Sequence, residues 1–178
     1  MSGGSYGFDS PTALATDGPH IWVANESTNG EGGSVTELNA SDGSLVRVIS
    51  GSAYGFRGPF GVAVYGTHVW VLNLNGGSVT ELNASDGKLV QTMSGSNYGF
   101  DQPSGIATDG THIWIVNFGE NSVTELDAAT GTWVRTLTDP SYHFDHPGAI
   151  TVDGTRAWVA NEGDVPGHDG SVTEFTTG

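Results

Sequence analysis

The sequence predicts an all-β protein built from four repeats of one unit, and three features support this prediction. Tryptophan recurs at spacings of 48, 44 and 44 residues, each time within a closely similar sequence segment. Each repeat divides into short apolar segments that are separated by glycine-containing turns. No segment carries the apolar period of about 3.6 residues that marks an amphipathic helix. We therefore expect antiparallel sheets and almost no helix.

The repeats share one central segment, which occurs at His20–Asn25, His68–Asn73, His112–Asn117 and Arg156–Asn161. A run of identical sequence, Gly-Gly-Ser-Val-Thr-Glu-Leu-Asn-Ala-Ser-Asp-Gly, stands at residues 32–43 and again at 76–87. Recent duplication and deliberate repetition by a designer would both produce this identity. We treat residues 1–178 as a single domain and place the repeats at residues 5–49, 50–93, 94–137 and 138–178.

The third repeat shows the elements of one unit. Its predicted strands, A to D in order, are Ser104–Thr108, Ile113–Asn117, Ser122–Asp127 and Trp133–Leu137. Gly110 and Gly131 stand in the A–B and C–D turns, where glycine permits the positive φ of a tight turn. Strand B is apolar at every alternate position on both faces, so its sheet must be covered on both sides.

Four-stranded sheets that repeat about every 44 residues and are covered on both faces are typical of a β-propeller. A β-sandwich would leave one face of strand B polar. The fourth repeat reaches Gly178 without a fourth strand, so the last blade lacks its outer strand. Four blades leave two sheet faces uncovered. We therefore expect half of an eight-bladed ring that a homodimer completes, and a closed four-bladed monomer is the alternative.

Several segments resemble NHL-type propeller repeats, and more narrowly the bacterial propellers related to virginiamycin B lyase and the YncE-like proteins. The resemblance rests on residues 8–11, 100–110 and 113–117 and extends over nearly the whole chain. It implies the propeller fold. The lyase would imply a magnesium site with catalytic His and Glu, but no motif here permits those residues to be transferred, so we assign no catalytic residue and no metal ligand.

Composition excludes several classes of partner and site. The chain has 5 Lys+Arg against 20 Asp+Glu, giving a formal charge of −15, which disfavours nucleic acid and anionic membrane surfaces as partners. It has no cysteine, which excludes disulfides and thiolate metal sites. No apolar run approaches a membrane span, and Met1 to Gly4 do not resemble a signal peptide. We expect a soluble protein, and the sequence does not indicate its compartment.

Residues present in every repeat are expected to serve the blade itself. The strand-B tryptophans should fill the space between sheets. His20, His68 and His112 should hydrogen-bond the backbone of a turn. The strand-C glutamates, Glu37, Glu81, Glu125 and Glu174, should be structural, with ion pairs at the sheet edge from Arg47 to Glu37 and from Arg135 to Glu125.

Residues found in one repeat are better candidates for binding. The D–A and B–C connections of a propeller emerge on one face, which we call the top face, and length variation concentrates there. The candidate binding residues on this face are His143, His146, Glu162, Asp164, His168 and Glu26. Imidazoles and carboxylates on one rim suit a divalent metal or acid–base chemistry, yet the three histidines are not expected to converge on one ion.

These observations favour a noncatalytic scaffold or binding module, natural or a trimmed or engineered repeat chain, that uses its top-face loops. Its expected ligands are a small molecule, a glycan or a peptide, and no cofactor is expected. The alternative is a metal-dependent enzyme resembling a lyase or lactonase, with a divalent metal near the central channel.

Overall fold

The computed structural model describes residues 4–29, 31–163 and 170–178. In this part of the chain the protein is all-β, with 15 strands in four antiparallel sheets and three 3₁₀ turns at Gly4–Tyr6, Ser52–Tyr54 and Pro140–Tyr142. No helix within it has the length and apolar character needed to cross a membrane. The predicted fold class is confirmed.

The chain divides into two compact units, Met1–Met93 and Ser94–Gly178. That the two form one domain stays a prediction. The first sheet of the first unit consists of β1 (Pro11–Thr16), β2 (His20–Asn25), β3 (Ser34–Asn39) and β4 (Leu45–Ser50). The second sheet consists of β5 (Pro59–Tyr65), β6 (His68–Asn73), β7 (Ser78–Asn83) and β8 (Leu89–Ser94). Strands adjacent in sequence are adjacent in each sheet, because the turns between them are short.

The second unit has one complete sheet and one that is a strand shorter. The complete sheet consists of β9 (Pro103–Thr108), β10 (His112–Asn117), β11 (Ser122–Asp127) and β12 (Trp133–Leu137). The shorter sheet consists of β13 (Pro147–Asp153), β14 (Arg156–Asn161) and β15 (Ser171–Thr176). The predicted strands of the third repeat are confirmed to within one residue at each end. The described residues of the fourth sheet form three strands.

Within each unit the two sheets pack face to face. In the first unit, Trp22, Ala24, Val35 and Ile49 of the first sheet pack against Val62, Val69, Val71 and Leu82 of the second. In the second unit, Trp114, Val116, Val123 and Leu137 pack against Ala157, Val159 and Phe175. We call the face that carries the strand-B tryptophan the tryptophan face and the opposite face the valine face. Each observed core thus joins one tryptophan face to one valine face.

A repeated hydrogen bond ties each sheet to the loop before it. The strand-C threonine donates its hydroxyl to a tyrosine carbonyl over 2.8 to 3.1 Å: Thr36 to Tyr6, Thr80 to Tyr54, Thr124 to Tyr98 and Thr173 to Tyr142. Each of these tyrosines also stacks on the phenylalanine two residues later, with ring centroids 5.3 to 5.5 Å apart. The loop that leads into a sheet is therefore fixed by polar and aromatic contacts.

Candidate functional site

The D–A and B–C loops lie together at one end of each sheet, which is the top face of the sequence analysis. The first residue after each strand B donates its backbone N–H to the preceding loop over 2.9 to 3.2 Å: Glu26 to Ser10, Leu74 to Gly58, Phe118 to Gln102 and Glu162 to His146. The A–B and C–D turns meet at the other end, as the bond from Ala40 to Pro19 at 2.8 Å shows. Each sheet therefore presents two loops at its top.

His143 lies at the end of the 3₁₀ turn Pro140–Tyr142 in the fourth repeat. Its backbone is left-handed, with φ 54°, and its N–H donates to the Pro140 carbonyl over 3.1 Å. The turn begins at Asp139, whose carboxylate accepts the N–H of Ser141 over 2.8 Å. Hydrogen bonds from the backbone and the side chain of Ser141 lower the pKa of Asp139 from its ordinary value. The turn therefore presents an exposed imidazole beside an ionised carboxylate.

A polar cleft opens in front of His143. It has a volume of about 590 Å³ and includes three carboxylates, those of Glu120, Asp139 and Asp145, in its lining. One imidazole among three carboxylates is suited to hydrogen bonding with a cationic or polyhydroxylated ligand. The cleft thus brings His143, a predicted site residue, together with other ionisable groups of its own unit.

His146 is engaged in other contacts. Its Nδ1 lies 2.9 Å from Oδ1 of Asp145, and its backbone N–H donates to Oδ1 of Asn121 over 2.7 Å. Its ring meets the edge of Phe118 at a centroid distance of 4.8 Å. His143 lines the cleft, whereas His146 packs beside it against an aromatic ring.

The remaining predicted site residues are dispersed. Glu162 is exposed and is joined to His146 by its backbone N–H. Glu26 is half-buried at the top of the first sheet, in the other unit. Asp164 and His168 lie outside the described residues. Among residues 4–29, 31–163 and 170–178, no group of three or more His, Asp or Glu side chains is arranged to hold a metal ion. The described residues therefore do not fit the magnesium site that the resemblance implies.

A second set of ionisable groups is buried inside the sheets. Glu37 has a side chain only 1% exposed, with its Oε2 atom 2.7 Å from Nε of Arg47 and its Oε1 atom 3.6 Å from Nε2 of His20. Neither contact has hydrogen-bond geometry, and the contact with Arg47 is an ion pair. Burial raises the pKa of Glu37, and the nearby Arg47 and His20 oppose that effect.

Two further glutamates repeat this arrangement. Glu81 contacts Nδ1 of His68 at 2.5 Å and accepts a hydrogen bond from Gln91 over 2.7 Å. Glu125 pairs with Arg135 and lies 3.5 Å from Nε2 of His112. The expected strand-pair register of arginine and glutamate is observed, but these glutamates are buried and do not lie at an exposed edge. The expectation that the histidines bond turn backbone is wrong, because their rings face carboxylates.

Aspartates of the A–B turns complete this set, and the sequence analysis missed them. Asp109 accepts the backbone N–H of His112 over 2.7 Å and the indole N–H of Trp114 over 3.2 Å. Burial acts to raise the pKa of Asp109, but hydrogen bonds from Thr111, His112 and Trp114 outweigh it and lower the pKa to about 2. The available signal was an aspartate five residues before the tryptophan, present in the first, third and fourth repeats as Asp17, Asp109 and Asp153.

The valine face of the first sheet is open. It forms an apolar hollow of about 540 Å³ whose lining includes Leu14, Ile21, Val23 and Leu38. Leu14 is 70% exposed. In the second sheet the equivalent face, carrying Val62, Val69, Val71 and Leu82, is buried against the tryptophan face of the first. Leu14 and Ile21 of the first sheet are thus more exposed than the equivalent Val62 and Val69, whereas Val23 and Leu38, which also line the hollow, are buried.

The tryptophan face of the fourth sheet is open as well. Val172 is 69% exposed and Ala160 is exposed, whereas the equivalent Val35 and Ala24 of the first sheet are fully buried. Trp158 is half-buried, in contrast to the fully buried Trp22. The described residues of the first and fourth sheets therefore include an exposed valine face and an exposed tryptophan face.

No protein-family model and no curated protein matches this sequence. Solved structures match its fold. The crystal structure of the computationally designed Ika4 protein aligns with a TM-score of 0.72 at 15% identity, covering 96% of this chain and 92% of that one. The RRP9 WD40 repeats align with a TM-score of 0.68 at 18% identity, over 85% of this chain and 44% of that one. Streptogramin B lyase aligns with a TM-score of 0.64 at 15% identity, over 94% of this chain and 55% of that one.

These likenesses show the fold alone, since all the identities are low. The sheets of this chain are blades of the β-propeller class. The chain matches nearly the full length of the designed protein but only about half the length of the RRP9 repeats and of the lyase. The propeller expected from the sequence is therefore confirmed as a fold.

Proposed function

We propose that this chain is a noncatalytic propeller module, half of an eight-bladed ring, which a second copy completes. The observation that carries the proposal is the pair of open faces, the valine face of the first blade and the tryptophan face of the fourth. Both observed cores join faces of these two kinds. The open tryptophan face of one copy is therefore the expected partner of the open valine face of another.

A two-fold dimer satisfies both faces at once. Each chain would contribute its first and fourth blades to two equivalent contacts, and the ring would close without further copies. The exposed apolar side chains provide the driving force, since burial contributes about 25 cal/mol per Å². We also propose that this chain is related to the NHL-type, virginiamycin B lyase-like propellers. This relationship is supported only by the similar segments at residues 8–11, 100–110 and 113–117.

The test is the mass in solution at micromolar concentration. The proposal expects twice the 18.4 kDa of one chain. Leu14→Lys places a charge on the open valine face, at its exposed edge strand β1, and should give a folded monomer, with its circular dichroism unchanged. Leu45→Lys, on an outer strand of the same blade, is the matched control and should remain a dimer. A monomeric wild-type chain would refute the proposal.

We propose further that ligands bind at the top face, in the cleft beside His143. The carboxylates of Glu120, Asp139 and Asp145 favour a polyhydroxylated ligand such as a glycan, or a cationic small molecule or peptide. A glycan and peptide array should detect binding that His143→Ala and Asp145→Asn reduce at least tenfold. Lys88→Ala, at the C–D turn of the second blade, is the control. Equal loss in the control would place the site elsewhere.

The alternative function is a metal-dependent enzyme, which the likeness to streptogramin B lyase keeps open at the level of the fold. It is supported by this likeness of fold alone, because no three imidazole or carboxylate side chains of the described residues are arranged to hold a metal ion. Its test is a metal content that survives gel filtration, is lost on exhaustive chelation and is recovered on readdition. A module that binds its ligand equally well before and after chelation would exclude this alternative.

A further inference from the structure

A second cleft lies at the top of the first unit, between its two blades. Its volume is about 650 Å³. Its lining comes from residues 31–33, in the B–C loop of the first blade, and from residues within 51–57, in the D–A loop that leads to the second. The backbone N–H of Gly58 donates to the Gly32 carbonyl over 3.0 Å and joins the two loops. The cleft is therefore formed within one unit, by loops that are fixed to each other.

Arg57, in the lining of this cleft, departs from the repeat. The same position is aspartate in the other three repeats, as Asp9, Asp101 and Asp145. In two of them the carboxylate has a partner in the loops of its own blade: Asp9 accepts the backbone N–H of Thr28 over 3.2 Å, and Asp145 contacts His146. A residue found in a single repeat is a candidate for binding, and Arg57 is one that the sequence analysis missed.

The backbone of Arg57 is held in the same way as that of its equivalent in the fourth repeat. Its N–H donates to Oδ1 of Asn73 over 3.3 Å, and the N–H of Asp145 donates to Oδ1 of Asn161 over 3.2 Å. The Arg57 carbonyl also accepts the N–H of Asn75 over 3.2 Å. Arginine at this position therefore changes the charge in the cleft without changing this backbone hydrogen bond.

The guanidinium of Arg57 is exposed and, among the residues that the structure describes, has no carboxylate partner. The other four basic residues each contact a carboxylate, in the pairs Arg47–Glu37, Lys88–Asp86, Arg135–Glu125 and Arg156–Glu174. An unpaired cation is unexpected in a chain with 20 Asp+Glu. A guanidinium presents parallel N–H donors that match the two oxygens of a carboxylate. Arg57 is therefore suited to an anionic group that a ligand supplies.

Glycine leaves room for a ligand beside Arg57. Gly51 and Gly55 line the cleft at the positions that Asp139 and His143 occupy in the fourth repeat. A Cβ atom at Gly51 would meet nothing within 4 Å. The cleft beside His143 has an imidazole and three carboxylates in its lining, whereas this one has a guanidinium and a single carboxylate. The two clefts thus hold equivalent places in their units and differ in charge.

The other lining residues restrict what accompanies the anionic group. Glu31 brings the single carboxylate, which repels a ligand with two or more negative charges. The same carboxylate accepts hydrogen bonds from hydroxyl groups, and Ser52 adds a hydroxyl of its own. Phe56, 5% exposed, provides apolar surface, which suits the C–H groups of a sugar ring.

We propose that this cleft binds a sugar of the hexuronic acid class. The carboxylate of the sugar pairs with the guanidinium of Arg57, its hydroxyl groups hydrogen-bond with Glu31 and Ser52, and its C–H groups lie against Phe56. The net charge of −15 opposes this binding only weakly, because the Debye length at physiological ionic strength is about 8 Å and screens distant carboxylates.

This site is separate from both parts of the proposed function. The ring contact uses sheet faces of the first and fourth blades, and the ligand proposed for the cleft beside His143 binds in the other unit. Leu14→Lys, which should disrupt the dimer, and His143→Ala should therefore both leave hexuronic acid binding unchanged. The proposals fail independently.

The test is a titration of the isotope-labelled full chain with galacturonate, followed by NMR of the backbone amides. We expect saturable shifts at residues 31–33 and 51–57, with one sugar per chain. Arg57→Gln should weaken binding at least about tenfold, since it removes a charged hydrogen-bond donor. Lys88→Gln, the same change of charge at the C–D turn of the second blade, is the matched control and should bind as the wild type does. Arg57→Asp restores the residue of the other repeats, so it should fold and should not bind.

Two further probes test the chemistry of the ligand. Galactose has the ring and hydroxyl groups but no carboxylate, and it should bind at least about tenfold more weakly than galacturonate. Inorganic phosphate should also bind more weakly, because its second charge is repelled by Glu31. Equal affinity for galactose or for phosphate would overturn the proposal. So would binding of galacturonate that Arg57→Gln leaves unchanged, or shifts confined to the cleft beside His143.

Discussion

Trp114 donates its indole N–H to Oδ2 of Asp109, five residues earlier, over 3.2 Å. In the second repeat this position is occupied by Tyr65, and Nε1 of Trp70 is buried with no hydrogen bond among the described residues. One blade therefore lacks an acceptor that the same turn supplies in the third repeat. A buried donor without an acceptor typically costs about 1 to 3 kcal/mol.

Tyr65→Asp should stabilise the protein by supplying this acceptor. Tyr65 is 55% exposed, so the loss of its ring removes little packing. We expect the free energy of unfolding to rise by about 1 kcal/mol, measured by chemical denaturation. Tyr65→Ala is the control, because it removes the ring without adding an acceptor. An Asp variant no more stable than the Ala variant would contradict this explanation.

Asp109 should make the protein more stable at neutral pH than in acid. Its pKa is lowered from 3.8 to about 2 in the folded state, so the folded protein releases this proton more readily than the unfolded chain. The stabilisation is complete above about pH 4 and is lost as the pH falls towards 2, with an upper limit of about 2 kcal/mol. Asp109→Asn should therefore cost stability at pH 7 and much less at pH 2. A cost that is the same at both pH values would contradict the assignment.

Glu37 should have the opposite effect. Burial raises its pKa, so the folded state holds the proton more tightly than the unfolded chain does. Its ionisation therefore lowers stability as the pH rises through and above the ordinary value of 4.5. Glu37→Gln should gain stability relative to the wild type between pH 4 and pH 7. Glu31→Gln, the same change at an exposed loop position, should show no such gain in parallel denaturation curves.

Gly33 should be intolerant of a side chain. Its φ is +111°, and a Cβ atom would lie 2.4 Å from Cδ of Pro59 and 2.6 Å from the Asn25 carbonyl oxygen. Gly33→Ala should therefore lower the unfolding free energy by more than about 2 kcal/mol. Gly18 is the matched control, since its φ is +98° but a Cβ there would meet nothing within 4 Å. Similar losses in the two variants would show that backbone strain alone is responsible.

The repeats made the fold predictable from the sequence. The contacts between strands were harder to predict. Because the sequence segment around the tryptophan recurs four times, the strands of the third repeat could be predicted to within one residue at each end. The register of Arg47 and Glu37 followed from the hairpin alone. The burial of Glu37 did not, because it depends on how the strands and the neighbouring sheet pack around it.

The candidate site was predictable only in part. Loop-length variation indicated the top of the blades, where His143 lies in a polar cleft. Its neighbours in that cleft include Glu120, from a loop of the preceding blade. Such a neighbour depends on the packing of successive blades, which the sequence of a single loop does not determine.

The hydrogen bond from Thr36 to the Tyr6 carbonyl has a consequence for folding kinetics. It joins residues 30 apart, and its equivalents in the other blades join residues 26, 26 and 31 apart. Contacts of such short sequence separation carry a small loop-closure entropy, so each blade is able to nucleate by itself and then grow onto its neighbour. Local unfolding should begin in the blade whose strands have the fewest paired neighbours. The amide protons of β15, with one paired edge, should therefore exchange before those of β11, which is paired on both sides.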